Sequence, residues 1–188
     1  LCEAASDFDD QGFRLAQFVE TVLAAFGAQL IDVLDVYFTT IHQWSPIVDE
    51  QKLKLRLQTW PQNVDADFAT LVLAIYLVTR WPCTQDPPPS SCQSMDSTLY
   101  RATKQVFFLR ASQTSSLALL HAGLMLVYYA CGHAMPREAH VLLSTSAALA
   151  RLLGADLERI ELDASKDSEL FGCAWAINQL DRLVAPGS

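Results

Sequence analysis

Apolar residues recur at helical spacing through most of the chain, and the polar and small residues between them supply the stops. Phe13, Leu15, Ala16, Phe18, Val19, Val22, Leu23 and Phe26 form the first such stripe, at the intervals of an amphipathic helix. A polar start over residues 7–11 suits a helix cap, and Gly27 offers a stop. A second run, Leu30, Ile31, Val33, Leu34, Val36, Tyr37, Phe38 and Ile41, is apolar on most sides and predicts a largely buried helix. Ser45-Pro46 ends it, because the residue before a proline avoids the α region. Asp49 reads as the N-cap of the short segment DEQKLKLRL, where Leu53, Leu55 and Leu57 alternate as in a strand. Residue types and helical neighbours favour helix there, and Trp60-Pro61 closes the element.

Asp65 is placed to cap ADFATLVLAIYLVTR, which is apolar almost all round and predicts a helix through the core. Residues 81–97, WPCTQDPPPSSCQSMDS, read as a surface loop around a run of prolines. Three longer helices follow. One runs from Met95 or Asp96 to about Ser112. The next is capped by Ser115 or Ser116, reaches Ala130 and is stopped by Gly132. The third opens on Pro136, which suits a first helical turn, and ends at Gly154. LERIELDAS is a connector, and Asp167 caps the last helix, SELFGCAWAINQLDRLV. The pattern predicts an all-α fold of about eight helices, packed as antiparallel helical pairs by short links such as residues 132–135. Residues 1–188 are expected to form a single domain, with residues 81–97 as a loop within it.

Composition narrows the function. Of 188 residues, 51% are hydrophobic, enough for a sizeable core. Thirteen basic residues against 21 acidic ones leave a net charge of −8. Such a segment repels phosphate, so no direct contact with nucleic acid is expected. Cys2, Cys83, Cys92, Cys131 and Cys173 are odd in number and form no C-x-x-C, which fits a reducing compartment. The most apolar stretch, LALLHAGLMLVYYACG, contains His121 and two glycines. It is short of the roughly 20 residues of a membrane span, and no membrane is expected among the partners. The opening LCEAASDFDD lacks a methionine and a basic n-region, so the chain is expected to be a piece cut from a longer protein, without a signal peptide.

Candidate chemistry is sparse. Cys131, His133 and His140 lie around one helix-helix turn, but their spacing matches no zinc pattern and no fourth ligand is evident. They read as ordinary loop and helix-end residues. His121 reads as a hydrogen-bonded core histidine. Asp32 and Asp35 share a helical face, as in all-α terpene cyclases, yet no second metal-binding box accompanies them, and a solvated helix edge is the simpler reading. There is no G-x-S-x-G elbow and no glycine-rich phosphate loop. Glu161, Asp163, Asp167 and Glu169 gather at a helix start, where they complement the helix dipole. The chain is not expected to be an enzyme.

Four segments, in order, resemble the fungal-specific transcription factor domain, the middle homology region of fungal zinc binuclear cluster regulators. The first is Tyr37-Phe38 followed by His42, Trp44, Pro46-Ile47 and Asp49. The second is LYRATKQVFFL, residues 99–109. The third is residues 123–154, a helix, a small-residue turn and a helix ending in leucine-glycine. The fourth is Trp175 with Leu180-Asp181-Arg182. The chain departs from the family pattern at Ala148, near His140, and at Leu170-Phe171-Gly172, where the family carries arginines or an aromatic residue. The resemblance covers about residues 30–184, and the family's domain continues further, so a C-terminal truncation is expected.

The resemblance implies a nuclear regulatory domain that mediates effector response or protein contacts and does not touch DNA. Zinc is expected only in a DNA-binding module absent from these residues, and no cofactor in this chain. A homodimer, a coregulator protein or a small-molecule effector are the implied partners. A protein-interaction scaffold of the same fold, as in a fungal kinetochore protein, is the alternative; an all-α enzyme such as a cyclase is a more distant one. Residues 37–50 are expected to form a packed corner, with Trp44 burying about 150–250 Å². His42, Trp44, His121, Tyr128, Tyr129 and Trp175 are the candidate effector-contacting or packing residues.

Overall fold

The computed structural model describes residues 2–62, 64–80, 90–155, 157 and 168–184. Among them are nine helices and no strand: α1 (Cys2–Ala25), α2 (Leu30–Thr39), α3 (Ile41–Trp44), α4 (Glu50–Leu57), α5 (Ala66–Thr79), α6 (Ser90–Ala111), α7 (Leu117–Gly132), α8 (Pro136–Leu152) and α9 (Ser168–Val184). The fold is all-α. α5 and α7, the two most apolar helices, pack against each other as the central pair. α1, α2 and α6 cover α5, while α6, α8 and α9 cover α7. Among the described residues, no single helix is long and apolar enough to cross a membrane.

The local signals act as their chemistry dictates. The Asp49 side chain accepts the Lys52 amide, Asp65 accepts the Phe68 amide and Ser116 accepts the Leu119 amide, each satisfying an orphan donor of a first turn. Pro136 occupies the start of α8. Gly27 and Gly154 take the left-handed conformation just past α1 and α8, with φ of 63° and 90°. Both close a paired hydrogen-bond cap: Ala28 reaches back to Leu23 and Gly27 to Ala24, Ala155 to Ala150 and Gly154 to Arg151.

Four expectations need correction. α1 starts at Cys2 and runs through residues 7–11, a stretch of sequence with no proline or glycine to stop a helix. The helix expected to continue to Ile41 breaks at Thr40, whose φ and ψ are −119° and −82°. Thr39 and Thr40 both turn their hydroxyls back onto backbone carbonyls one turn earlier, the competition by which such side chains bend and end helices. A single turn, α3, then leads into Ser45-Pro46. The loop expected over residues 81–97 gives way to α6 at Ser90, directly after the last proline, because SSCQSMDS contains no breaker; residues 81–89 lie outside the described set. α7 does not stop at Ala130 but includes Gly132. The left-handed residue there is Ala134, at φ 54°, with Met135 bonded back to Ala130 and Ala134 to Cys131. The Asp167 cap and most of the LERIELDAS connector lie outside the described residues.

Candidate functional site

The break at Thr40 and the proline at 46 fold residues 37–50 into a corner. Tyr37, Phe38, Ile41, Ser45 and Ile47 point into the core and are buried. Trp44 does not follow the expectation: it is 57% exposed. The single turn of α3 turns Ile41 and Ser45 inward and leaves the indole outside. Ser45 and Tyr128 share a short hydrogen bond between their hydroxyls, and the Trp44 ring packs against Tyr128 at 5.0 Å and 72°. Thus the corner is fixed to α7 by a hydroxyl pair beneath and a ring pair above. Burial pushes the Tyr128 phenol up to about 12, with the Ser45 bond pulling the other way. Burial also raises the Tyr37 phenol, whose hydroxyl has no hydrogen-bond partner among the described residues.

Between the corner, the end of α5 and the end of α7 lies a cleft of about 500 Å³. Val36, Thr40, Ile41 and Trp44 line it from α2 and α3. Leu77, Val78, Thr79 and Arg80 line it from α5. Tyr128, Tyr129, Gly132 and His133 line it from α7. The His133 imidazole stacks on Tyr129 at 3.9 Å, and Tyr129 stacks on Tyr100 at 4.7 Å. His133 Nδ1 lies 2.8 Å from the Tyr129 carbonyl. Behind this stack the Tyr100 hydroxyl donates to Glu138 at 2.8 Å, and Lys104 pairs with the same carboxylate. Arg80, just past the end of α5, holds its guanidinium 4.0 Å above the Phe26 ring, a favourable cation–π distance.

Of the six candidate residues, the fold brings Trp44, Tyr128 and Tyr129 together in this cleft. His42 sits beside it, edge-on to Phe38 at 5.0 Å and to Tyr37 at 5.9 Å. His121 is buried within α7 and borders a separate cavity of about 200 Å³ with Phe68, Lys52 and Glu169. Trp175 lies on the exposed side of α9 and outside both cavities. Arg80 and His133 line the same cleft as Trp44, a juxtaposition the sequence does not signal. A lone cation closing an apolar helix is a weak signal, and His133 reads in the sequence as an ordinary loop and helix-end residue.

Cys131, His133 and His140 do not assemble, and among the described residues no group of three or more His, Cys, Asp or Glu could hold a metal ion. Asp32 and Asp35 are exposed on α2. Of the expected acidic cluster, only Glu169 is described. It is buried, accepts the Asp49 amide at 2.9 Å and pairs with Lys52, so it latches α9 onto the corner. Glu161, Asp163 and Asp167 lie outside the described residues.

A buried ion pair carries no sequence signal of its own. Arg110 Nε donates to Asp67 at 2.7 Å, and the Thr114 and Ser116 hydroxyls donate to the other Asp67 oxygen at 3.1 and 2.8 Å. Both carboxylate oxygens are thereby satisfied, the condition for a buried charge to be tolerated. No protein-family model, no curated protein and no solved structure matches the chain.

Proposed function

We propose that the chain is a regulatory domain of the fungal transcription factor type, which responds to a small-molecule effector in the cleft between α2–α3, α5 and α7. The observation that carries this reading is the cleft itself. It falls in the range of about 300–1,000 Å³ common to small-molecule sites, and such sites form between the helices of bundles. Its walls join two of the segments that resemble the family, the Trp44 corner and the Tyr128-Tyr129 end of α7. Ala134, held at positive φ next to the cleft, adds to it: a non-glycine residue in that conformation is strained, and strain concentrates at functional sites. The net charge of −8 argues against direct contact with DNA. In this reading DNA contact and zinc belong to a separate module, the address is nuclear, and this chain performs no chemical step.

A bound effector raises the melting temperature by mass action. Thermal unfolding against a panel of neutral, acidic and basic metabolites and xenobiotics should therefore yield compounds that stabilise the wild type. Trp44→Ala should remain folded and lose the shift, because the indole is mostly exposed and contributes little to the core. If no compound raises the melting temperature, the effector reading fails.

A second reading, a protein-interaction scaffold, draws on a different region. Val141 and Leu152 on α8 and Leu183 on α9 are large, apolar and exposed, the last two at 72% and 76%. If these faces join two copies of the chain, light scattering across a concentration series will show a dimer. A monomer at every concentration removes the homodimer version.

A further inference from the structure

We propose that the groove between α8 and α9 binds the zwitterion of an α-amino acid with a large apolar side chain. This groove shares no residue with the cleft at Trp44 and does not depend on the effector reading of that cleft. Its volume is about 370 Å³, inside the range of about 300–1,000 Å³ common to small-molecule sites. Leu143 from α8 and Ile177 from α9 line it and are buried, and Ala147 and Leu157 line it half-buried. Arg151 from the last turn of α8 and Asp181 from α9 line it as well, and both are exposed. The lining therefore passes from a buried apolar base to a rim that carries one charge of each sign.

Among the described residues neither Arg151 nor Asp181 makes an ion pair or a side-chain hydrogen bond, with the other or with a third group. Each is left to recognise a ligand group. The Arg151 guanidinium presents a planar fork of donors that matches a carboxylate. On α9, Asn178 and Asp181 stand three residues apart and so share a face of the helix. Asn178 spends its amide protons on the Leu157 and Ala174 carbonyls, and the carboxamide oxygen remains as an acceptor. That oxygen and the Asp181 carboxylate suit an ammonium, which has several donors and no acceptor. The Ser144 hydroxyl is turned onto the His140 carbonyl and takes no part. A ligand with one charge can pair with one side of the rim. An α-amino acid carries both charges on one small head and an apolar side chain behind it, and uses both sides of the rim together with the base.

The test titrates L-leucine, L-methionine and L-phenylalanine by calorimetry into the 188-residue chain, and then the amide and the N-acetyl derivative of whichever binds best. The free amino acid should bind, and each derivative, lacking one charge, should bind about tenfold more weakly. Arg151→Met should weaken the free amino acid by a similar factor and leave its amide unchanged. Asp181→Asn should weaken the free amino acid and leave the N-acetyl derivative unchanged. Both variants should fold and melt with the wild type, since the side chains removed are exposed and have no partner in the fold. Trp44→Ala should leave amino-acid binding unaltered. If none of the three amino acids binds, the proposal is wrong and the effector cleft stands. Derivatives that bind as well as the free amino acid overturn the zwitterion class. Binding that survives both rim substitutions, or that is lost with Trp44→Ala, overturns the assignment to this groove.

Discussion

At Gly123, midway along α7, an added Cβ would come within 2.4 Å of the Ser146 hydroxyl and 2.8 Å of the Phe107 ring, both fully buried. At Gly132, in the last turn of the same helix, it would meet nothing within 4 Å. The two glycines mark two regimes. The first half of α7 is wedged between α5, α6 and α8, and its first turn is tied to the Asp67–Arg110 pair through Ser116, which caps the helix and donates to Asp67. The last turn opens onto the cleft and ends in a strained alanine where α1 and α8 use glycine. One helix thus holds the core together at one end and forgoes packing at the other, the division expected where a rigid scaffold presents a binding surface.

The largest expected effect breaks the closed end. Asp67→Ala takes the buried carboxylate away from Arg110 Nε and from the Thr114 and Ser116 hydroxyls, and should destabilise by about 3–5 kcal/mol in urea unfolding. A loss under about 1 kcal/mol would mean that the pair does not anchor the start of α7.

Next comes one substitution with two signs. Gly123→Ala must displace the Phe107 ring or the Ser146 hydroxyl, which is already bonded to the Leu142 carbonyl. Overpacking of about 1–3 kcal/mol outweighs a helix-propensity gain of about 1 kcal/mol, for a net loss of up to about 2 kcal/mol. Gly132→Ala has only the propensity gain and should stabilise by about 0.5–1 kcal/mol. Equal shifts in the two melting curves would erase the contrast between the regimes.

Ala134→Gly probes the strain at the open end directly. Relief of the left-handed penalty of about 1–2 kcal/mol, less the added chain entropy of glycine, should leave a gain of about 0.5–1 kcal/mol. No gain in denaturant midpoint would remove strain as a support for the functional reading.

The smallest effect concerns the Tyr100–Tyr129–His133 stack. Hydrogen bonds from Lys104 and then from the Tyr100 hydroxyl hold the Glu138 carboxyl below its usual value of 4.5. A depressed carboxylate stabilises the fold above its unfolded pKa, and that contribution fades as pH falls through the folded one. Wild type and Glu138→Gln should therefore differ by a constant amount, under about 1 kcal/mol given the partial exposure, from neutral pH to about pH 5, and converge in more acidic solution. A difference that grows as pH falls would show that the carboxylate is not held by these donors.

Asp49, Asp65, Ser116 and Pro136 were legible in the sequence, as were the terminators Gly27 and Gly154 and the nearly all-apolar α5 and α7. Each acts over one helical turn or one helix length, so its meaning does not depend on what packs against it. The start of α6 and the break at Thr40 were legible only in part, because weak local preferences of serine and threonine compete there with continuation of a helix. The candidate site was legible for Trp44, Tyr128 and Tyr129 as residue types, but not for their arrangement. Nothing in a list of apolar positions says that Ser45 turns inward and Trp44 outward, that Arg80 lies across a cleft from His133, or that Asp67 meets Arg110.

By itself, then, the sequence determined an all-α chain and most of its helix boundaries, since periodicity and capping are short-range properties of the backbone and its own side chains. The cleft, the exposure of Trp44, the latch from Glu169 to the corner and the strain at Ala134 were decided by tertiary structure. Burial and electrostatic balance belong to neighbours far apart in the chain, and those neighbours exist only once α2, α5, α7 and α9 have packed.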